Sequence, residues 1–259
     1  MSLPLVSVGP LRVSRLIVGG NPVSGISHQT AARNVEMMDY FTAERIKQLW
    51  RACEATGINT AISRADAHIM RTLREYWNEG GKIQWIAQSA PEHASTRDNI
   101  SRAVGAGAKA VFLHGGETEN RFGKPTFNEL NDLLKLIHDK GVPAGMAAHD
   151  PRVHREAEAR GFESDFYMLA IYNCGSLHSG KGERFNDEDV PVALEAIPSI
   201  PKPCIAYKVL AAGRKHPRDV FPRLYARIKP TDAVLVGMFP KDNPRMVEEN
   251  VRLALEAMQ

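Results

Sequence analysis

The 259-residue sequence holds only three cysteines, Cys53, Cys174 and Cys204, an odd number, widely spaced and without a CxxC pair. That pattern leaves no disulfide framework, and the three read as reduced thiols of a cytoplasmic protein. Cys53 falls inside a helix-patterned stretch and is expected to be a small buried hydrophobe, whereas Cys174 falls at the end of an apolar run and retains a substrate-contact reading. No apolar stretch approaches the ~18 residues of a membrane span, and the start lacks a basic segment followed by an apolar one, so neither membrane insertion nor export is expected. A long basic run is also missing. The 33 basic and 30 acidic residues leave a net charge of +3, which argues against nucleic-acid or membrane partners and leaves small molecules, anionic ones included. No linker or low-complexity segment interrupts the chain, so residues 1–259 are expected to form one domain, with the oligomeric state open.

What is present is a repeated alternation. After two short runs, Leu5 to Val8 and Leu11 to Ser14, broken by Gly9-Pro10 and expected to form a hairpin, eight apolar runs follow. They are Leu16 to Gly19, Asn59 to Ser63, Ile83 to Gln88, Ala110 to His114, Ala144 to His149, Phe166 to Asn173, Cys204 to Leu210 and Ala233 to Met238. Their near-continuous apolarity suits strands covered on both faces. Between and after them lie stretches with apolar residues at three-and-four spacing: Ala43 to Thr56, Ala67 to Glu79, Ser95 to Val104, Phe127 to Lys140, Arg152 to Arg160, Asp187 to Ile197, Asp219 to Ile228 and Arg245 to Met258. Gly57, Gly81, Gly107, Gly141 and Gly161 follow successive helices at the position where a left-handed residue closes the last turn. Eight such units predict a (β/α)8 TIM barrel whose bottom is plugged by the hairpin.

In that architecture chemistry sits at the C-terminal strand ends, here Asn21, Arg64, Gln88, His114, His149, Asn173, Lys208 and Met238. Two connections at that face are longer than packing requires. Asn21 to Phe41 contains His28 and Arg33, and Cys174 to Asn186 contains His178, Lys181 and Arg184, so lids or substrate walls are as expected there as plain surface loops. His68, His93, His138, His154 and His216 fall on helices or connections and are expected to be solvated.

Four segments share their order with one known family. Val13-Ser14-Arg15-Leu16-Ile17-Val18-Gly19-Gly20 resembles the opening strand of aldo-keto reductases, and Val111-Phe112-Leu113-His114 resembles their fourth strand with its catalytic histidine. Ala206-Tyr207-Lys208-Val209-Leu210-Ala211-Ala212-Gly213 looks like their seventh strand, while Pro240-Lys241 with Glu248-Glu249-Asn250 looks like the cofactor-binding end. The resemblance implies a TIM barrel, NADP, a nicotinamide-stacking role for Tyr207 and a phosphate contact for Lys241. Its acid groups do not carry over. On Gly57-Ile58-Asn59-Thr60-Ala61-Ile62-Ser63 the family's aspartate position is Ile62, its tyrosine position falls at Ala67 and its lysine position at Ser89, so only His114 remains of the four. Asp242 stands near the 2′-phosphate position, where a carboxylate repels the cofactor, so NADP is disfavoured.

The leading expectation is therefore an enzyme of aldo-keto-reductase-like descent with non-redox acid/base chemistry, a lyase, isomerase or epimerase acting on a small polar carbonyl or sugar-like compound. His114 and His149 end neighbouring strands and are expected to share one pocket as proton carriers. If a divalent metal binds, these two histidines would hold it with Glu117, Asp150 or Asp66, although no HxH or HExxH spacing supports a metal. Lys208 is expected to point inward with Ala206 and Leu210, either holding an anion or attacking a carbonyl as an amine. Asn21, Arg64, Asp66, Gln88, Asn173 and Tyr207 complete the expected substrate contacts, with pairing of Arg64 to Asp66 as the plain alternative. Two other readings stay open: an NADP-dependent oxidoreductase of the aldo-keto reductase type with Tyr172 or Lys208 as acid, and a noncatalytic barrel that binds a small molecule.

Overall fold

The computed structural model describes residues 2–90, 92–172 and 185–259. The first two strands, β1 (Leu5–Val8) and β2 (Leu11–Ser14), pair antiparallel as a separate hairpin. Eight parallel strands then close into a barrel: β3 (Leu16–Gly19), β4 (Thr60–Arg64), β5 (Gln84–Gln88), β6 (Ala110–Leu113), β7 (Ala144–Ala148), β8 (Phe166–Ala170), β9 (Cys204–Tyr207) and β10 (Ala233–Gly237). Closure comes from β10 pairing with β3, with Val234 opposite Leu16 and Gly237 opposite Gly19.

The helices that cover the barrel are α1 (Ala31–Tyr40), α2 (Ala43–Ala55), α3 (Ala67–Asn78), α4 (Thr96–Gly105), α5 (Gly115–Arg121), α6 (Glu129–Asp139), α7 (Pro151–Ala159), α8 (Asp189–Ser199), α9 (Pro217–Tyr225) and α10 (Met246–Ala257). Their starts are written in the sequence. Thr42, Asp66, Ser95 and Asp150 each accept a backbone N–H of the first turn of α2, α3, α4 and α7, which satisfies a donor that the helix itself leaves open. After α3 the left-handed residue is Gly80, at φ 91°, rather than the expected Gly81. Gly81 meets a different constraint: a Cβ there would fall 2.1 Å from the Tyr76 ring. None of the helices among the described residues is long and apolar enough to cross a membrane.

Two concentric cores hold the fold. Ile17, Ile62, Ile86, Phe112, Phe166, Met168 and Ile205 fill the lumen together with Val6, Val8 and Val13 of the hairpin, which plugs the bottom as expected. The opposite strand faces pack on the helices; Val18, Ala61, Ala87 and Leu169 belong to that outer core. Strand parity thus assigns each residue to one layer. In β9 it places Ile205 and Tyr207 with the lumen cluster and Ala206 with the outer one. This corrects the expectation that Ala206 and Lys208 share the inward face. The strand ends at Tyr207, and Lys208 follows with a left-handed φ of 56°, so alternation does not extend to it.

Two further expectations change. The first long connection carries the unanticipated α1, capped by Thr30, whose side chain accepts from Arg33 N. His154 is fully buried on α7 rather than solvated; it shares a hydrogen bond with Met168 O at 3.1 Å, and burial lowers its pKa to about 4. The connection Cys174 to Arg184, with His178 and Lys181, and the strand-end candidate Asn173 lie outside the described residues.

The lumen is filled tightly enough to test. A Cβ added at Gly145 falls 2.5 Å from the Phe166 ring, which is itself fully buried. Gly145→Ala is therefore expected to lower the urea unfolding free energy by about 1–3 kcal/mol, the usual cost of overpacking a core. An unchanged midpoint would show that the lumen yields more than its packing suggests.

Candidate active site

A cavity of about 590 Å³ opens at the C-terminal mouth of the barrel. Its floor continues the lumen cluster through Ile62, Phe112, Ala147, Met168 and Leu235, all apolar. Polar groups from the strand ends and the connections just above them include Asn21, Ser63, Gln88, Tyr207 and Lys208. The connection before α1 forms one wall, where Asn21 Nδ2 lies 2.8 Å from His28 Nε2. It meets the connection after β9 through Gln29, which donates to Ala212 O at 2.7 Å, and through Arg214, which donates to His28 O at 3.0 Å. The four non-glycine residues with left-handed backbone among the described residues, His28, Lys208, Ala211 and Ala212, all flank this junction.

The most organised polar group stands beside the cavity at the end of β7. His149 follows Ala148 directly, continues the inward parity of Gly145 and Ala147, and sets its ring edge-on to Tyr207 with centroids 5.5 Å apart. Behind it is Glu119 of α5. Its Oε1 accepts the backbone N–H of His149 at 2.6 Å and of Asp150 at 2.9 Å, and its Oε2 lies 3.1 Å from His149 Nδ1. Both side chains are only 8% exposed. Burial opposes ionisation of Glu119, but the hydrogen bond and charge of His149 and the two backbone donors outweigh it and hold the carboxyl below its ordinary pKa.

His114 ends β6 and caps α5, accepting Gly116 N–H on its Nδ1 at 3.0 Å. With Nδ1 accepting, the neutral ring carries its proton on Nε2. Thr118 docks α5 on β7 by donating to Ala147 O, which brings Glu119 to His149. Glu119 was not among the expected residues. Glu117, three residues after the capping His114, marks the helix start, since an acid in a first turn favours it, but nothing in the sequence singles out Glu119.

The remaining expected residues divide into two sets. Asn21, Gln88, Tyr207 and Lys208 line the cavity, whereas His114, His149, Arg64, Asp66 and Lys241 stand outside its lining. The expected pairing of Arg64 with Asp66 is not found: Arg64 pairs with Glu92, and Asp66 accepts from Ile69 N at 2.8 Å as the cap of α3. Asp150 is engaged by Arg152 at 2.6 Å, and Glu117 by Arg121 at 3.1 Å. No group of three or more metal-ligating side chains occurs among the described residues.

At the far wall Lys241, expected to meet a cofactor phosphate, is committed. Lys241 lies 2.9 Å from Glu36, and Arg33 pairs with Glu36 at 2.5 Å and with Asp242 while stacking on Phe239 at 4.6 Å. The hydrogen bonds of Lys241 and Arg33 lower the Glu36 pKa.

No family model and no curated protein matches the chain. Solved structures do match in fold. A Pseudomonas aeruginosa protein provisionally named an aldo-keto reductase superposes with a TM-score of 0.65 at 18% identity, covering 99% of this chain and 95% of that one. A truncated 3-deoxy-D-arabino-heptulosonate 7-phosphate synthase from Thermotoga maritima follows at 0.58 and 11% identity, over 98% and 91% of the two chains. An N-acetylmannosamine-6-phosphate 2-epimerase from Clostridium perfringens gives 0.55 at 14% identity, over 90% and 92%. At these identities the likeness is one of fold, a TIM barrel of the kind aldo-keto reductases adopt.

The ion pairs at the far wall yield a binding prediction. With Asp242 beside the expected phosphate position and Lys241 held by Glu36, titration with NADPH followed by fluorescence is expected to show no saturable binding in the low micromolar range. A low-micromolar dissociation constant would mean that these pairs open for the cofactor.

Proposed function

We propose that this barrel is an enzyme that moves protons on a small hydroxy-carbonyl compound, as an isomerase, epimerase or lyase, without a redox cofactor. The observation that carries the reading is the Glu119-backed His149 set against Tyr207, which lines the cavity. An imidazole oriented by a buried carboxylate is a general base at neutral pH. The positions that would supply a reductase with its acid, Ile62, Ala67 and Ser89, have no group that ionises there.

In this reading His149 takes a proton from the carbon next to the substrate carbonyl. The charge that develops on the carbonyl oxygen is met by Lys208 and by a donor, the Tyr207 hydroxyl or the Nε2–H of His114, which is the electrostatic work a preorganised site does well. Gln88 and Asn21, both on the cavity wall, hold hydroxyl groups. Return of the proton to the other face or to the neighbouring carbon completes an epimerisation or isomerisation; breakage of the next carbon–carbon or carbon–oxygen bond gives the lyase. The apolar floor of Ile62, Phe112 and Met168 keeps the ion interactions above it strong by limiting water.

Incubation with a panel of short aldoses, ketoses and hydroxy acids in D₂O, followed by ¹H NMR, tests this directly. The expected result is deuterium at the carbon next to the carbonyl without added NADPH, with His149→Gln lowering the rate by roughly 10²–10⁴-fold, the usual contribution of a general base. Reduction of a panel member only when NADPH is present would favour the oxidoreductase, and saturable binding without exchange would favour the noncatalytic barrel.

A further inference from the structure

We infer that Glu119 is the positioning residue of His149: its carboxylate holds the imidazole as the Nδ1–H tautomer and leaves Nε2 as the nitrogen that exchanges a proton. The inference rests on the acid/base reading of His149 for its functional meaning, but its structural content stands by itself. A carboxylate offers only acceptors unless it is protonated. Oε1 of Glu119 is already fixed by two backbone donors, His149 N at 2.6 Å and Asp150 N at 2.9 Å, so the group cannot turn. Oε2 is then presented to Nδ1 at 3.1 Å, and the ring has to supply the hydrogen.

Neighbouring charged and titratable groups have partners of their own. Asp150, next in the chain, faces Arg152 through contacts of 2.9 and 2.6 Å. His154, in the first turn of α7, is bonded to Met168 O. Tyr207 of β9 meets the His149 ring edge-on, with centroids 5.5 Å apart. His114, at the neighbouring strand end, has its own Nδ1 occupied by Gly116 N. The two histidines are thereby held as opposite tautomers, with an accepting Nε2 on His149 and a donating Nε2 on His114. One side chain is set up as base and the other as hydrogen-bond donor before any substrate arrives.

The test reads tautomers rather than turnover. Long-range ¹H–¹⁵N correlation spectra of protein carrying ¹⁵N-labelled histidine, recorded where the rings are neutral, separate a protonated from an unprotonated ring nitrogen; loss of one signal set in His149→Gln assigns it. The wild-type protein is expected to show His149 with its proton on Nδ1 and His114 with its proton on Nε2. In Glu119→Gln the amide oxygen remains on the two backbone donors and the NH₂ faces Nδ1, so the His149 signals are expected to exchange places while those of His114 stay put. A wild-type His149 protonated on Nε2, or a Glu119→Gln spectrum with the His149 tautomer unchanged, overturns the inference. If Glu119→Gln does not fold, the wild-type spectrum alone decides. Because no substrate is needed, failure of the deuterium-exchange assay leaves this result standing, and failure of this result leaves that assay to be judged separately.

Discussion

Alternation of side chains along a closed eight-stranded barrel decides what can reach this cavity. Every strand offers its inward positions to a lumen that Phe112, Phe166, Met168 and the isoleucines nearly fill, so polar groups gain access only at the last inward position of each strand or from the connections beyond it. Gln88 and Tyr207 occupy such positions and line the cavity, while His114 and His149 follow the inward parity of their strands and stand beside it. Lys208 is displaced from that series by its left-handed backbone and lines the cavity from the connection instead.

Packing and chemistry meet at α5. This short polar helix adds little to the hydrophobic core, yet it closes two hydrogen-bond accounts at once. Its own first turn is capped by His114, and its Glu119 satisfies the two N–H groups exposed where β7 gives way to α7. A buried carboxylate is costly unless it is bonded; here two backbone N–H groups and the His149 ring are among its partners. The same arrangement that stabilises the strand end therefore also orients an imidazole beside the cavity. The far wall uses charge differently: Arg33, Glu36, Lys241 and Asp242 tie α1 to the connection before α10, and Lys241, expected to meet a phosphate, is already paired.

Much of the fold was legible in the sequence because continuous apolar runs mark strands buried on two faces, and β3, β6 and β10 begin where those runs begin. The ends were less legible. Apolarity continues through Ile171 and Tyr172 after β8 and through Val209 and Leu210 after β9, where Ile171, Tyr172 and Val209 are buried and Leu210 half-buried beyond the strands' ends; hydropathy reports burial, not where a strand stops. Helix α1 lacks an apolar stripe, burying only Met37 while Val35 and Met38 are exposed, so periodicity passes over it. Of the site, the strand-end rule singled out Gln88, His114 and His149, and the family resemblance added the lumen-facing Tyr207. Glu119 was beyond reach, because a buried acid within the polar run Gly115-Gly116-Glu117-Thr118-Glu119 looks like any solvated helix face until β7 is set against it.

The central claim is that Glu119 and His149 act as one unit in moving a proton. It is tested most directly by a double-mutant cycle on the rate of solvent deuterium exchange, using Glu119→Gln, His149→Gln and the two combined. Residues that act as a unit are strongly non-additive, so the double variant is expected to be no slower than His149→Gln alone, with Glu119→Gln accounting for most of the same loss. Rate losses that simply multiply would show that the two side chains act independently and would contradict the account.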